Sequence, residues 1–321
     1  MKAWMRVLKV TLTSQLFPKA MVFGQNGLEG KNDLEISVVI HKYMAALNDS
    51  CTIRISNLTY SEIVRIVDGK FFNVEVQCGY KNSPVVTVFK GGVVGLTNDI
   101  SEQKKTTLVM LCTSELIARF SQQRINFSLN SQINTYSLLN YVTKRAGIAS
   151  SNISTQFKKD IEERIQADTQ TVGGWFESMV QQNPDWVVNA DSSNNAILSI
   201  FNASRSDYRK IKITADQMLL RNYPTINNDG IEFSMFPSFG FMCGDTIELE
   251  KGIINIPLNA YGDAESMVSA VSKNFGYYLD EEGLYIIYEM TYQLENRGPS
   301  FALNMRCRSR TAFSKLVEGT S

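Results

Sequence analysis

Apolar and polar residues alternate one by one through much of this chain, and that period leaves little choice of fold. Leu34, Ile36, Val38 and Ile40 alternate with Glu35, Ser37 and His41. Cys51, Ile53 and Ile55 alternate with Thr52, Arg54 and Ser56, and Phe72, Val74, Val76 and Cys78 with Asn73, Glu75 and Gln77. The longest run sets Leu284, Ile286, Tyr288, Met290, Tyr292 and Leu294 on one face. Side chains of a strand point to opposite faces in turn, so each run is a strand with one packed and one wet face. Gly91 and Gly92 mark a bulge or bend after the strand 85–89, and the spacing of the strands points to a small barrel or sandwich.

The middle of the chain reads differently. Thr135 caps a helix over 136–146, with Leu138, Leu139, Val142 and Ala146 on one side and Gly147 at its stop. Residues 148–172 are polar and weakly patterned, and read as a short helix with loops. A second amphipathic helix over 174–182 uses Trp175, Phe176 and Met179, and WVVNA and AILSIF form a hairpin around DSSNN. Strands return at 210–214, 231–235, 246–250, 284–294 and 302–308.

Two short sequences echo each other. Leu108, Met110, Cys112 and Ser114 match Leu303, Met305, Cys307 and Ser309 in an L-x-M-x-C-x-S pattern, each on the last strand of a β-rich region. The matching placement points to a duplicated barrel. Between two alternating runs, residues 230–250 read GIEFSMFPSFGFMCGDTIELE, a corner holding Phe236, Phe239, Phe241 and Met242. Loops are normally polar and exposed, so these four residues are the candidate interface, buried between barrels or between subunits.

Material for chemistry is scarce. His41, the one histidine, sits on the wet face of a strand, and no nucleotide-binding glycine loop occurs. No catalytic, cofactor or metal site is assigned. Glu248 and Glu250 share a strand face and are the carboxylates a hydrolase would use. Arg306 and Arg308 alternate with Met305 and Cys307 and form the candidate face toward a charged partner or passing DNA. Lys+Arg and Asp+Glu both total 32, without the basic excess of a tight nucleic-acid binder. Arg6 and Lys9 interrupt any signal-peptide core, and no apolar run approaches the ~18 residues of a membrane helix. The five dispersed cysteines read as reduced, buried thiols of a protein made in a cytosol.

The order of the blocks resembles phage tail baseplate hub proteins of the late-control, tail-hub type. The carriers are ISNLTYSEI, VEVQCGY and VVTVFKGGVVG, then TYSLLNYVTKRAGI and FESMVQQNPDWVVNADSSNNAILSI. The corner itself and FGYYLDEEGLYIIYEMTYQLENRGPSFALNMRCRS complete the series. The resemblance spans roughly residues 34–310. Departures are the three phenylalanines of the corner and a terminal hairpin without the family's usual His.

The resemblance implies a mainly β (α+β) chain with two related β-barrel domains and a small helix-plus-hairpin middle region. The boundaries are 1–115 for the first barrel, 116–205 for the insertion and 206–321 for the second barrel. It further implies a non-enzymatic homotrimer whose six barrels adapt a sixfold tail tube to a threefold central spike. Wedge proteins are further partners. DNA passes the central channel without sequence readout, no membrane is engaged, and the place of action is the baseplate of the virion tail. A carbohydrate- or receptor-binding β-sandwich and a carboxylate hydrolase stay open as other readings.

Overall fold

The computed structural model describes residues 6–24, 34–44, 49–81, 84–100, 106–129, 132–148, 151–159, 161–162, 165–183, 186–191, 197–202, 209–218, 224–227, 230–237, 240–249 and 283–309. The first region holds β1 (Arg6–Thr13), β2 (Met21–Gly24), β3 (Glu35–Tyr43), β4 (Ser50–Ser56), α1 (Tyr60–Asp68), β5 (Asn73–Tyr80), β6 (Val86–Ile100) and β7 (Thr106–Ser114). The middle holds α2 (Glu115–Gln122), β8 (Arg124–Leu129), β9 (Ile133–Asn134), α3 (Thr135–Arg145), β10 (Ser151–Ile153), β11 (Ile161–Glu162), β12 (Ile165–Thr171), α4 (Val172–Gln182), β13 (Trp186–Asp191) and β14 (Ile197–Asn202). The last region holds β15 (Lys210–Ile213), β16 (Thr225–Asn227), β17 (Gly230–Met235), β18 (Thr246–Leu249), β19 (Leu284–Glu295) and β20 (Phe301–Ser309).

The chain is mainly β, but its two outer regions are not separate closed barrels. Among the described residues they share one thirteen-stranded sheet, ordered β16-β17-β20-β19-β3-β4-β7-β6-β5-β1-β2, with β18 beside β19 and β15 beside β18. The path is open at β16 and β2. The join is β19 against β3, antiparallel, with Thr291 opposite His41 and Tyr292 opposite Ile40. Each strand would otherwise present an unpaired row of N–H and C=O groups, and pairing satisfies both rows at once. The inward residues of both regions, among them Ile36, Val38, Ile40, Met290, Tyr292 and Leu294, then form one core. The sheet also curls: Arg6 on β1 donates to the Gly298 carbonyl at 2.7 Å and stacks 5.3 Å over the Phe301 ring.

Within this sheet one strand order occurs twice. The first region runs β1-β5-β6-β7-β4-β3 and the last runs β15-β18-β19-β20-β17-β16. Counted by chain order within each set, omitting β2, both read 1-4-5-6-3-2. Every adjacent pair is antiparallel in both sets except one, since β1–β5 is antiparallel and β15–β18 parallel. The L-x-M-x-C-x-S echo lies on the sixth strands, β7 and β20, with all eight of its residues buried. A bulge falls at the same place in each set. Val94 is extra opposite the Cys112–Leu111 step, and Tyr288 is extra opposite the Cys307–Arg306 step.

That bulge corrects the expectation that Leu284 through Leu294 face one way. An inserted residue reverses the alternation. Tyr285 and Ile287 therefore join the main core with Met290, Tyr292 and Leu294, while Ile286 turns to Val187 and Phe201 of the middle region. The middle region packs a core of its own around Phe120, Leu138, Trp175, Phe176 and Ile200. Its first expected helix starts at Thr135, one residue before the expected start, because the cap is Asn134, whose Oδ1 accepts the Ser137 N–H at 2.7 Å. The described residues of 148–172 are mostly short strands rather than a helix with loops, since β12 pairs with β8 and β10 with β14, with a 3₁₀ turn at Thr155–Lys158. Helices α1 and α2 were not expected.

Candidate functional site

Two features of the outer regions invite a functional reading, the aromatic corner and the wet face of the shared sheet. In the duplicated order, the third and fourth strands of the first set are joined by α1, which buries Ile63 and Ile66. In the second set the same connection is made by residues 236–245. The corner is apolar because it covers the end of its own core where the other set uses a helix. Phe241 and Cys243 are buried there, and Phe236 meets Tyr80 edge-on at 6.0 Å. Met242 stays half-buried, with the Ser199 hydroxyl 4.0 Å from its sulfur. Phe239 lies outside the described residues.

A buried carboxylate organises this corner. Asp245 is fully buried and accepts the Met242 N–H at 2.7 Å and Arg209 Nε at 3.2 Å. Arg209 also donates to the Gly240 carbonyl. Asn189 of β13 donates to the Cys243 carbonyl at 3.1 Å. Gly244 has φ +92°, and a Cβ there would meet the Phe201 ring at 2.3 Å, so glycine is what lets the middle region seat on the corner.

The wet face carries the two arginines. Register sets Glu232, Arg306 and Glu289 in one row across β17, β20 and β19, and Ser234, Asn304, Thr291, His41, Ser50 and Thr113 in the next. Arg306 lies 3.2 Å from Glu232 and 3.1 Å from Glu289. Those carboxylates, Glu232 first, hold its guanidinium above the usual arginine range. Arg308 sits 4.7 Å over the Tyr288 ring. His41 Nδ1 and Thr291 Oγ1 are 3.1 Å apart, and Ser234 donates to Asn304 at 2.6 Å. Glu232, Arg306, Glu289, Asn304, Thr291, Gln293 and His41 line a cleft of about 230 Å³. Two carboxylates on one guanidinium leave this row net negative, so Arg306 is not a free phosphate-binding cation. Nothing local in the sequence announced Glu232 and Glu289 as its partners, since they are brought beside it only by β-pairing.

The hydrolase reading rests on Glu248 and Glu250. Glu248 is half-buried, and the hydrogen bond from Lys210, 2.9 Å away, holds its carboxyl below the ordinary range, opposite to what a general acid needs. Glu250 lies outside the described residues. All five cysteines are buried and free. Among the described residues no cluster of three or more metal-ligating side chains occurs, and no helix is long and apolar enough to cross a membrane.

The fold is that of phage tail proteins. The 43 kDa tail protein of prophage MuSo2 from Shewanella oneidensis superposes with a TM-score of 0.56 at 9% identity, over 95% of this chain and 98% of that one. The tail protein from Neisseria meningitidis MC58 gives 0.55 at 6% identity, over 96% and 98%. No protein-family model matches the sequence, and no curated protein matches it.

Proposed function

We propose that this chain is the baseplate hub of a phage tail, a non-enzymatic homotrimeric ring that joins a sixfold tail tube to a threefold central spike. The observation that carries the reading is the strand order 1-4-5-6-3-2, present twice in one chain. Three copies of such a chain present six like units to a sixfold partner, and only three chains to a threefold one. The shared fold with tail proteins over nearly the whole of both chains supports the same reading. Tube, spike and wedge proteins are the partners, and the place of action is the virion tail.

The wet sheet face is the candidate channel lining. Its middle rows are mostly hydroxyl and amide side chains, and Arg306 is neutralised within the chain. Such a wall lets DNA pass without holding its phosphates. Phe236, Phe239 and Met242 are the candidate subunit contacts of the corner; Phe241 is packed within its own chain.

Native mass spectrometry and end-on negative-stain imaging, alone and with the spike of the same virion, test this. Three chains around a central opening are expected. A single chain that stays monomeric with the spike present would overturn the proposal.

A further inference from the structure

We propose that the bare edge of β6, residues 94–99, pairs with β16 of a second copy of this chain, in the register that joins β19 to β3 within one chain. The inference rests on the ring reading above and names the strands that close it.

The duplication supplies the template. The fifth strand of the second set, β19, carries β20 on one side. On its other side it carries β18 over Leu284 to Ile286, then β3 over Glu289 to Glu295. The fifth strand of the first set, β6, carries β7 on one side and β5 on the other as far as Gly92. The Val93 N–H still donates to the Phe72 carbonyl at 2.8 Å. Past it, among the described residues, no strand pairs with that side of β6. Val94 is 69% exposed, and Thr97, Asn98 and Asp99 are exposed too.

The bulges align the two strands. Val94 matches Tyr288, so Gly95 matches Glu289, Thr97 matches Thr291 and Asp99 matches Gln293. The unpaired part of β6 is thus the part of β19 that holds β3. The counterpart of β3 is β16. Ladders run from Cys112 through Cys51 to Ile40 in one set, and from Cys307 through Ile231 to Ile226 in the other. Among the described residues β16 also ends the sheet, with nothing paired on its far side. Each chain therefore contains one complete β19–β3 joint and the two halves of a like joint, one on β16 at the end of the hydrogen-bonded path and the other on the stretch of β6 that runs beyond β5. A second copy supplies the missing half at each, and a ring of copies leaves neither edge open.

The template fixes the register. Thr291 faces His41 and Gln293 faces Val39 within the chain. Between copies, Thr97 then faces Asn227, and Asp99 faces Thr225. The test is the double variant Asp99→Cys with Thr225→Cys, under mild oxidation. An offset control carries Thr97→Cys with Thr225→Cys, two residues out of register. Buried native thiols, with Cys78 and Cys112 pushed up to about 12, do not compete.

In-register chains should link covalently, up to three per assembly, about tenfold faster than the offset pair, because facing positions lie closer than diagonal ones. Single variants should stay unlinked. A trimer in which neither pair links, or in which the offset pair links as fast, overturns this inference and leaves the ring standing. Linked ladders longer than three chains uphold the strand pairing and overturn the trimer. Unlinked monomers at every concentration overturn both.

Discussion

Asp245 shows how one side chain holds an irregular corner in place. Its carboxylate is fully buried and accepts from Met242 N–H and from Arg209. Replacing it with Ala leaves a backbone donor and a guanidinium short of their acceptor. Removing one partner of a buried pair costs about 3–5 kcal/mol, and Arg209 is partly exposed, so Asp245→Ala should cost about 2–4 kcal/mol in urea unfolding. Arg306→Ala is the contrast. Arg306 is 48% exposed in its side chain, and its ion pairs are screened by water, so the loss should stay near 1 kcal/mol or less. Equal losses for the two variants would contradict the burial difference on which both expectations stand.

At the scale of elements, the strands were legible in the sequence and their partners were not. Alternation at Ile36, Val38 and Ile40 marks a strand with one buried face, and the structure buries all three. No local pattern says that this strand pairs with one some 250 residues later. Helix α1 was hidden inside a β-rich stretch, although its start carried a readable sign. Thr59 and Glu62 form a capping box, with the Thr59 N–H donating to Glu62 at 2.8 Å. The four-residue echo was legible, and its equal placement on β7 and β20 is what the topology explains. The corner was legible as anomalous but not as the stand-in for a helix, since that follows from comparing the two sets of strands.

The bulge at Tyr288 was illegible for a plain reason: an extra residue leaves the alternation looking unbroken when Tyr is as apolar as its neighbours. Deleting Tyr288 tests its role. Upstream residues would shift by one, taking Ile286 from Val187 and Phe201 and turning Tyr285 and Ile287 out of the main core. Several large side chains change faces at once, each worth about 1.5–3 kcal/mol of burial, so the deletion variant should fail to fold or melt far below the parent. A thermal melt within a few degrees of the parent would show that the bulge is incidental.

For the molecule as a whole, the cores decide how it comes apart. One apolar cluster spans both outer regions, and a second lies within the middle region. Outer regions that share a sheet and a core cannot unfold one at a time without exposing the β19–β3 joint. Calorimetry should therefore resolve two transitions, a larger one for the outer regions together and a smaller one for the middle. Alkali tells them apart. All five cysteines lie in the outer regions, in the shared core, and residues 116–205 contain none. Burial holds Cys78 and Cys112 at about 12 against an ordinary 9.0, and pushes Cys51, Cys243 and Cys307 upward as well. The fold keeps these thiols neutral, whereas the unfolded chain ionises them near pH 9. Their contribution is complete below that pH and is lost as pH rises toward 12, by about 1.4 kcal/mol per pH unit for each thiol. The larger transition should move down steeply above pH 9, while the smaller one moves little. Cys112→Ala should make that fall shallower, at the cost of a lower starting point. Three separate transitions, or an alkaline shift confined to the smaller one, would mean that the outer regions do not share a single cooperative core.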